Sequence, residues 1–279
     1  MQTFEKMAVN NLEPEIYSLE MLQDYLEFIN NKPATIHLAL DTGMHRLGFE
    51  SADLEQLINT VKSKNHLKVA SIFSHLVGAD EDMFNDFSRE QIKLFEEMAS
   101  KIETGLGYKT IKHILNSAGI VRFPKAQFDM VRLGIGLYGI EATGIEQDGL
   151  QTVGTLKTII SQIKEIAKGE TVGYSRKGKV NDNMTIATIA IGYGDGFSRR
   201  FSNGVGHVLI KGQEAPIIGN ICMDMCMVDI SNIDAKEGDE VIVFGKDLSI
   251  SELAKAIDTI PYEILTNVSE RVKRVFYSE

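Results

Sequence analysis

The sequence predicts an α/β protein in which an incomplete (β/α)8 barrel is followed by a mostly antiparallel β domain. Up to about residue 140, short and nearly continuous apolar runs alternate with amphipathic helical patterns, which is typical of a parallel sheet covered on both faces. After 141–149 ("EATGIEQDG"), strand patterns and turns follow one another with few helices between them. We therefore place a domain boundary near residue 145, with a partial barrel over 1–145 and a C-terminal β domain over 146–279.

The first half contains about five of the eight strands that a complete barrel needs. The segment 16–22 ("IYSLEML") indicates a weak strand-to-helix transition. The stronger strand candidates are 35–40 ("TIHLAL"), 68–76 ("KVASIFSHL"), 111–119 ("IKHILNSAG") and 130–140 ("MVRLGIGLYGI"). An open parallel sheet is the alternative to an incomplete barrel.

Two helices are predicted between these strands. One has its apolar residues at i, i+3, i+4 and i+7: Leu54, Leu57, Ile58 and Val61. The longer one begins at Ser88, which forms a capping-box pattern with Gln91, and ends at Gly105.

The second half predicts a β domain with one short helix. Its strand candidates are "TLKTIISQIKEI", "TIATIAIGYG", "GHVLIKG", "ICMDMCMVDI" and "DEVIVFG". The helix begins near Ser249, with Glu252 three residues on.

Composition excludes several classes of partner. The net charge of −10 would repel nucleic-acid phosphates, and no apolar run approaches the roughly 18 residues of a membrane helix. The first residues, "MQTFEKMAVNNLEPEIY", lack the basic and apolar segments of a signal peptide. We therefore expect a cytoplasmic protein that binds neither nucleic acid nor membrane.

The only cysteines are Cys222 and Cys226. If both lie on one strand, they are about 13 Å apart, which is too far for a disulfide, so we expect free thiols. A metal site at Cys222, Asp224 and Cys226 is the rival interpretation. Zinc usually requires four convergent ligands and the CxxC spacing is missing, so we expect no metal.

Each strand candidate of the first half ends in polar residues. They are Asp41, Thr42 and Arg46; Ser74 and His75; Asn116 and Ser117; and Arg132 with Gly134 and Gly136. Because functional groups of a barrel gather at the carboxyl ends of its strands, this set predicts a site for an anionic ligand with a hydrogen-bonding ring.

Seven segments in the same order resemble the alanine racemases, which are pyridoxal-phosphate enzymes with a barrel followed by a β domain. They are "DTGMHRLGF", "SHLVGADE", "NSAGIVRFP", "MVRLGIGLYGI", "GETVGYSRKG", "IATIAIGYGDGF" and "PIIGNICMDMCMVDI". The resemblance extends from near residue 12 to the C-terminus. It is greatest to the racemases that are fused behind a cell-wall amide ligase.

The resemblance implies that the chain interconverts L- and D-alanine for peptidoglycan precursors, through an aldimine of pyridoxal 5'-phosphate. The family uses a lysine and a tyrosine as bases on opposite faces of the cofactor. The tyrosine corresponds to Tyr174. A phenol is a poor base at pH 7 unless a cation favours phenolate, so we expect His75 or another cation to be coupled to Tyr174.

The resemblance also assigns the cofactor site to the partial barrel. Arg132 corresponds to the arginine that faces the pyridine nitrogen, and His75 to the histidine that hydrogen-bonds this arginine. Ser117, with the backbone of Gly134 and Ile135, corresponds to the phosphate cradle.

Three further residues correspond to substrate-binding positions. Arg46 helps to hold the cofactor's phenolic oxygen and the substrate carboxylate. Tyr193 and Met223 reach the substrate from the partner subunit, which implies a homodimer.

Three positions depart from the family pattern. No segment matches the cofactor-lysine motif, which resembles "KANAYGHG" and precedes "DTGMHR" in the family, so we expect a chain that lacks the first barrel strands. Ala39 stands where many relatives have a carbamylated lysine that orients the arginine. Glu270 stands where many relatives have a tyrosine, and we expect it to turn away or to pair with Arg271.

These departures leave alternatives open. The chain could be a non-catalytic fragment that binds pyridoxal phosphate or dimerises, or an association-prone fragment with an exposed sheet edge. It could also be a racemase of another small amino acid, such as serine.

Overall fold

A four-stranded parallel sheet organises the first half of the chain. The computed structural model describes residues 2–143 and 149–277, which form two compact units. The first unit runs to Gly136 and includes 141–143, and the second comprises Leu137–Ile140 and residues 149–277. The predicted boundary near residue 145 lies outside the described residues.

The sheet of the first unit has the strand order β1-β2-β3-β4, and every neighbouring pair is parallel. Its strands are β1 (Glu15–Ile16), β2 (Ala34–Ala39), β3 (Leu67–Phe73) and β4 (Ile111–His113). The helices are α1 (Gln2–Val9), α2 (Leu19–Ile29), α3 (Leu54–Lys62), α4 (Asn85–Leu106) and α5 (Ser117–Arg122). This alternation confirms the α/β class, and the four predicted apolar positions of α3 are all buried.

The predicted start of α4 is wrong. The helix begins at Asn85, three residues before Ser88, and Ser88 is fully buried within its first turns. The predicted end is also wrong, because Gly105 lies inside the helix and Gly107 ends it with a φ of +81°. Ser88 and Gln91 have the spacing of a capping box, but both are buried within α4. Sequence alone does not show which groups these polar residues contact.

The predicted strand over 130–140 does not form. Its first part is extended beside β4, with the Asp129 amide donating to Lys112 (3.1 Å) and the Arg132 amide donating to Leu115 (3.0 Å). A short 3-10 turn, Ile135–Tyr138, then follows. Strand β4 is likewise shorter than predicted, because α5 begins soon after it.

The second unit is a closed six-stranded antiparallel barrel with the order β10-β11-β8-β5-β12-β9. Its strands are β5 (Leu156–Ile166), β8 (Met184–Ile189), β9 (His207–Ile210), β10 (Gln213–Ile218), β11 (Cys226–Asp229) and β12 (Glu240–Phe244). A small hairpin pairs β6 (Thr171–Val172) with β7 (Gly178–Lys179), and α6 (Ile250–Ala256) and α7 (Pro261–Asn267) complete the unit. The predicted antiparallel β architecture is confirmed, and Ser249 caps α6 as expected.

The strand predicted over "ICMDMCMVDI" begins only at Cys226, so the two cysteines do not share a strand. Cys226 begins β11, whereas Cys222 lies in the preceding turn, where its amide donates to the Met225 carbonyl (2.9 Å). Both are free, and burial raises the pKa of Cys226 to about 12. Among the helices of the described chain, none has the length and apolar character needed to cross a membrane.

Candidate active site

The loop after β2 closes on itself and presents Arg46. The Asp41 amide donates to Phe49 (3.0 Å), and the Phe49 amide donates to Ala39 (2.9 Å). Gly48 lies where the two ends of the loop meet. Its φ is +133°, and a Cβ there would come within 2.4 Å of the Asp41 nitrogen, so only glycine fits. The closed loop leaves the Arg46 side chain exposed.

Arg132 lies among neutral acceptors at the ends of β3 and β4. It donates to Nδ1 of His113, to the Ser74 carbonyl (2.6 Å) and to Nδ1 of His75 (3.3 Å). Its guanidinium carbon also lies 5.2 Å from the centroid of the Phe73 ring. The structure therefore brings together His75 and Arg132, as predicted, and adds His113.

Both histidines are held in the neutral form. Burial, together with the nearby charges of Arg132 and Arg46, lowers the pKa of His75. Burial and Arg132 lower the pKa of His113 to about 4, with a smaller effect from His37. A neutral imidazole can accept a hydrogen bond from the guanidinium, whereas an imidazolium would repel it.

A buried polar cluster fixes the loops that follow β2 and β3. Gln91 of α4 accepts from the Val77 amide (3.1 Å) and donates to the His75 carbonyl (3.1 Å). It also lies 3.4 Å from the Thr42 hydroxyl, which forms a 2.7 Å hydrogen bond with Ser74. Because the side chains of Gln91, Thr42 and Ser74 are nearly inaccessible to solvent, each would be costly to leave unpaired. The cluster thus holds the main chain around His75 in one position.

Ser117 forms a second small cluster with the segment after Arg132. Its Oγ accepts from the Gly134 amide (2.9 Å) and, at longer range, from the Gly136 amide (3.4 Å). A Cβ at Gly136 would lie 2.7 Å from Leu133 Cδ1, so the chain packs closely there. The predicted association of Ser117 with Gly134 is present, and Ile135 is buried between the two glycines.

The second unit places Tyr193 beside Met223. The Tyr193 amide donates to Cys222 (3.0 Å), and the Gly194 amide donates to Met223 (2.8 Å). Both predicted substrate-binding side chains are about half exposed, at 44% for Tyr193 and 54% for Met223. They are therefore available on the surface of this unit.

Arg271 joins the two turns that present these side chains. Its Nε donates to Asp195 and its terminal nitrogen donates to Asp224, each at 2.8 Å. These two carboxylates raise the pKa of Arg271. Of the two alternatives expected for Glu270, the pair with Arg271 is replaced by the pairs of Arg271 with Asp195 and Asp224, and Glu270 is exposed.

Tyr174 is exposed, at 69%. It begins the 3-10 turn Tyr174–Arg176 after Gly173, whose φ is +76°. The Asn220 side chain donates to the Tyr174 carbonyl (3.1 Å), which ties this turn to the segment that leads to Cys222. The coupling of Tyr174 to a cation stays a prediction.

None of the segments around Lys68, Lys112, Lys157 and Lys211 matches the cofactor-lysine motif, and three of these lysines pair with carboxylates. Lys112 lies 3.7 Å from Glu103, Lys157 lies 3.1 Å from Glu240, Lys211 lies 3.0 Å from Asp239, and Lys68 is exposed on β3. Ala39, at the end of β2, is buried and supplies no charge to Arg46. Across residues 2–143 and 149–277, no group of three or more His, Cys, Asp and Glu side chains could hold a metal ion.

Sequence reasoning missed His113 and Gln91 as members of the site. His113 had a detectable signal, a histidine inside an apolar strand just before "LNS". The sequence pattern assigns Gln91 to a helix cap, and only its contacts with the loops after β2 and β3 reveal what it holds.

Both units match models of one protein family. Residues 1–142 match the family described as alanine racemase, N-terminal domain, and residues 153–276 match alanine racemase, C-terminal domain. An alanine racemase of Clostridium tetani is 37% identical over 95% of this chain and 71% of its own length.

Solved structures agree with the sequence relatives. The alanine racemase of Bartonella henselae with covalently bound pyridoxal phosphate is similar with a TM-score of 0.88 and 30% identity, over 98% of this chain and 75% of its own. The alanine racemase of Streptomyces coelicolor is similar with a TM-score of 0.91 and 29% identity, over the same shares of the two chains.

Proposed function

The chain belongs to the alanine racemase family of amino-acid isomerases, and on that premise we propose that it interconverts L- and D-alanine with pyridoxal phosphate. The observation that most supports the proposal is Arg132. It is a partly buried guanidinium whose hydrogen-bond acceptors are two imidazole nitrogens and main-chain carbonyls. Such a cation suits an uncharged ring nitrogen that can accept a further hydrogen bond.

The residues present fit the cofactor. Ser117, with the amides of Gly134 and Ile135, would hold its phosphate, since a hydroxyl and closely packed backbone amides suit an anion. When bound, pyridoxal phosphate supplies an electron sink that acidifies the α-hydrogen of an amino acid. Because arginine keeps its proton, Arg132 would leave the ring nitrogen unprotonated and so limit side reactions. His75 would hold Arg132 in place.

Arg46, Tyr193 and Met223 would bind the substrate. Arg46 supplies the positive charge for a substrate carboxylate, and Tyr193 and Met223 would contact the substrate from the partner subunit of a homodimer. Their exposure on the second unit supports this assignment. The two free thiols support a reducing compartment, the cytoplasm.

Tyr174 would remove or return the α-proton on one face of the substrate. We expect Tyr174→Phe to reduce α-hydrogen exchange from one enantiomer of alanine by about 10²-fold or more, because the phenol oxygen is lost. Exchange into each enantiomer can be followed in D2O by NMR. Tyr277→Phe, at another exposed tyrosine (90%), is the control. Equal loss for both enantiomers would contradict a one-face role.

Reversible binding of pyridoxal phosphate without racemisation is a second candidate function. It is favoured by the absence of a cofactor-lysine motif from the sequence and by the pairing of Lys112, Lys157 and Lys211 with carboxylates. The chain should be mixed with pyridoxal phosphate, reduced with borohydride and mapped by mass spectrometry. One specifically labelled lysine with D-alanine formation supports the racemase, whereas dialysable binding with no labelled lysine supports the second candidate. Rates with L-serine would test the choice of substrate.

A further inference from the structure

A line of hydrogen bonds crosses the parallel sheet and ends at Arg132. His113 of β4 forms a hydrogen bond with Arg132 through Nδ1, and its Nε2 lies 3.4 Å from the Ser71 hydroxyl on β3. Ser71 lies 2.6 Å from Nδ1 of His37 on β2. Nε2 of His37 lies 2.9 Å from the Glu13 carboxylate. The line therefore joins a guanidinium to a carboxylate through two imidazoles and one hydroxyl.

When each imidazole bears one ring proton, donor and acceptor chemistry allows one direction only. The guanidinium can only donate, so Nδ1 of His113 must accept and Nε2 must bear the proton. Nε2 then donates to Ser71, which passes its own hydrogen to Nδ1 of His37. His37 is left to donate from Nε2 to Glu13, which as a carboxylate can only accept. Both ends therefore require the same orientation of every group.

We propose that Glu13, His37 and Ser71 are positioning residues, which supply an acceptor for the Nε2–H of His113, fix its ring and so hold Arg132 toward the cofactor ring. The hydrogen-bond chain connects Arg132 to the negative charge of Glu13, so no carboxylate has to lie beside Arg132 in the cofactor site. The part of the inference that concerns the cofactor rests on the proposed function. The orientation of the hydrogen bonds does not depend on it.

Burial supports this role. Ser71 is 2% exposed and His113 is 5% exposed, so neither can exchange its partner for water without a change in structure. The His113 ring also stacks on Phe73 at 5.0 Å with an interplanar angle of 3°, which fixes the plane of the imidazole. Glu13 is half exposed, so the far end of the chain is open to substitution.

The first test is the ring-nitrogen NMR spectrum of the chain labelled with ¹⁵N-histidine, without cofactor. With six histidines, the signals can be assigned by single substitutions. We expect His113 to show an unprotonated Nδ1 and a protonated Nε2. In Ser71→Ala the ring-nitrogen signals of His113 should move, because Nε2 loses its acceptor. In Ser88→Ala they should not move, because Ser88 is a fully buried serine whose hydroxyl has no partner among the described residues.

Glu13→Ala covers the case in which Ser71→Ala does not fold, since Glu13 lies outside the helices and strands. We expect the ring signals of both His37 and His113 to move, with circular dichroism unchanged. A change confined to His37, or an unchanged His113 in Ser71→Ala, would overturn the proposal.

Cofactor binding separates this inference from the proposed function. If pyridoxal phosphate binds, we expect Ser71→Ala to raise its Kd at least several-fold and to shift its absorption maximum, with Ser88→Ala unchanged. Ser71→Thr, which keeps the hydroxyl, should recover the wild-type spectrum. If no cofactor binds to the unsubstituted chain, the proposed function fails, and the histidine spectra still decide the orientation of the hydrogen-bond chain.

Discussion

At the scale of single residues, the site depends on two histidines that stay neutral beside a cation. His113 is almost fully buried, and its folded-state pKa of about 4 lies well below that of an exposed histidine. The pKa of His75 is lowered in the same direction. Both histidines therefore bind a proton less readily in the folded protein than in the unfolded chain.

This difference predicts a loss of stability in acid. As pH falls from about 6.5 to about 4, the unfolded chain binds a proton at residue 113 and the folded chain does not, so the free energy of unfolding decreases. We expect a decrease of about 2–3 kcal/mol from His113 over this range. Urea unfolding at several pH values would measure it.

Two substitutions serve as comparisons for the acid effect. In His113→Gln the pH dependence between 6.5 and 4 should become shallower. In His45→Gln it should stay as in the unsubstituted chain, because the His45 side chain is 81% exposed. An equal slope in both variants would show that His113 does not cause the effect.

At the scale of elements, α4 holds two loops of the sheet through one side chain. The side-chain oxygen of Gln91 accepts from the Val77 amide, and its side-chain nitrogen donates to the His75 carbonyl. The same nitrogen also approaches the Thr42 hydroxyl. A helix that packs behind the sheet therefore determines where the loop after β3 presents His75. The contact also explains why a polar residue occupies the apolar side of α4.

Gln91→Leu should lower the free energy of unfolding by about 1–3 kcal/mol, since it leaves the Val77 amide and the His75 carbonyl unpaired. It should also weaken binding of pyridoxal phosphate, because His75 and its contact with Arg132 would shift. Urea unfolding and a cofactor titration measure the two effects. Gln56→Leu, on the exposed side of α3, should change neither. Loss of stability with unchanged cofactor affinity would restrict Gln91 to a structural role.

At the scale of the whole molecule, the residues proposed for catalysis are divided between two units. The cofactor residues lie in the first unit, whereas Tyr174, Tyr193 and Met223 are exposed on the second. A homodimer in which the second unit of one chain completes the site of the other would explain this exposure.

Light scattering should therefore give twice the 31.0 kDa of one chain. Met223→Glu should shift the equilibrium toward monomer, because it places a charge in the proposed contact. Met83→Glu, at a methionine of the first unit that is 77% exposed, should leave the mass unchanged. A monomeric unsubstituted chain at concentrations well above those of an assay would contradict the proposed assembly.

Much of this architecture follows from local patterns. The sequence shows the apolar spacing of α3, the continuous apolar strands β2 and β3, and the succession of strands in the second half. Burial on one side of a helix or strand makes its apolar residues recur at the period of that element. The order of the motifs likewise identified the family, and with it Ser117, Arg132 and Tyr174 as candidates.

Only the tertiary structure decided the contacts between distant segments. The segment 130–140 has the composition of a strand, but the Gly134 and Gly136 amides turn to Ser117 and leave the sheet. His113 and Gln91 acquire their roles from residues 19 and 16 positions away, namely Arg132 and His75. A hydrogen bond satisfies a buried polar group wherever its partner lies along the chain, so sequence periodicity predicts which residues are buried but not which atoms they meet.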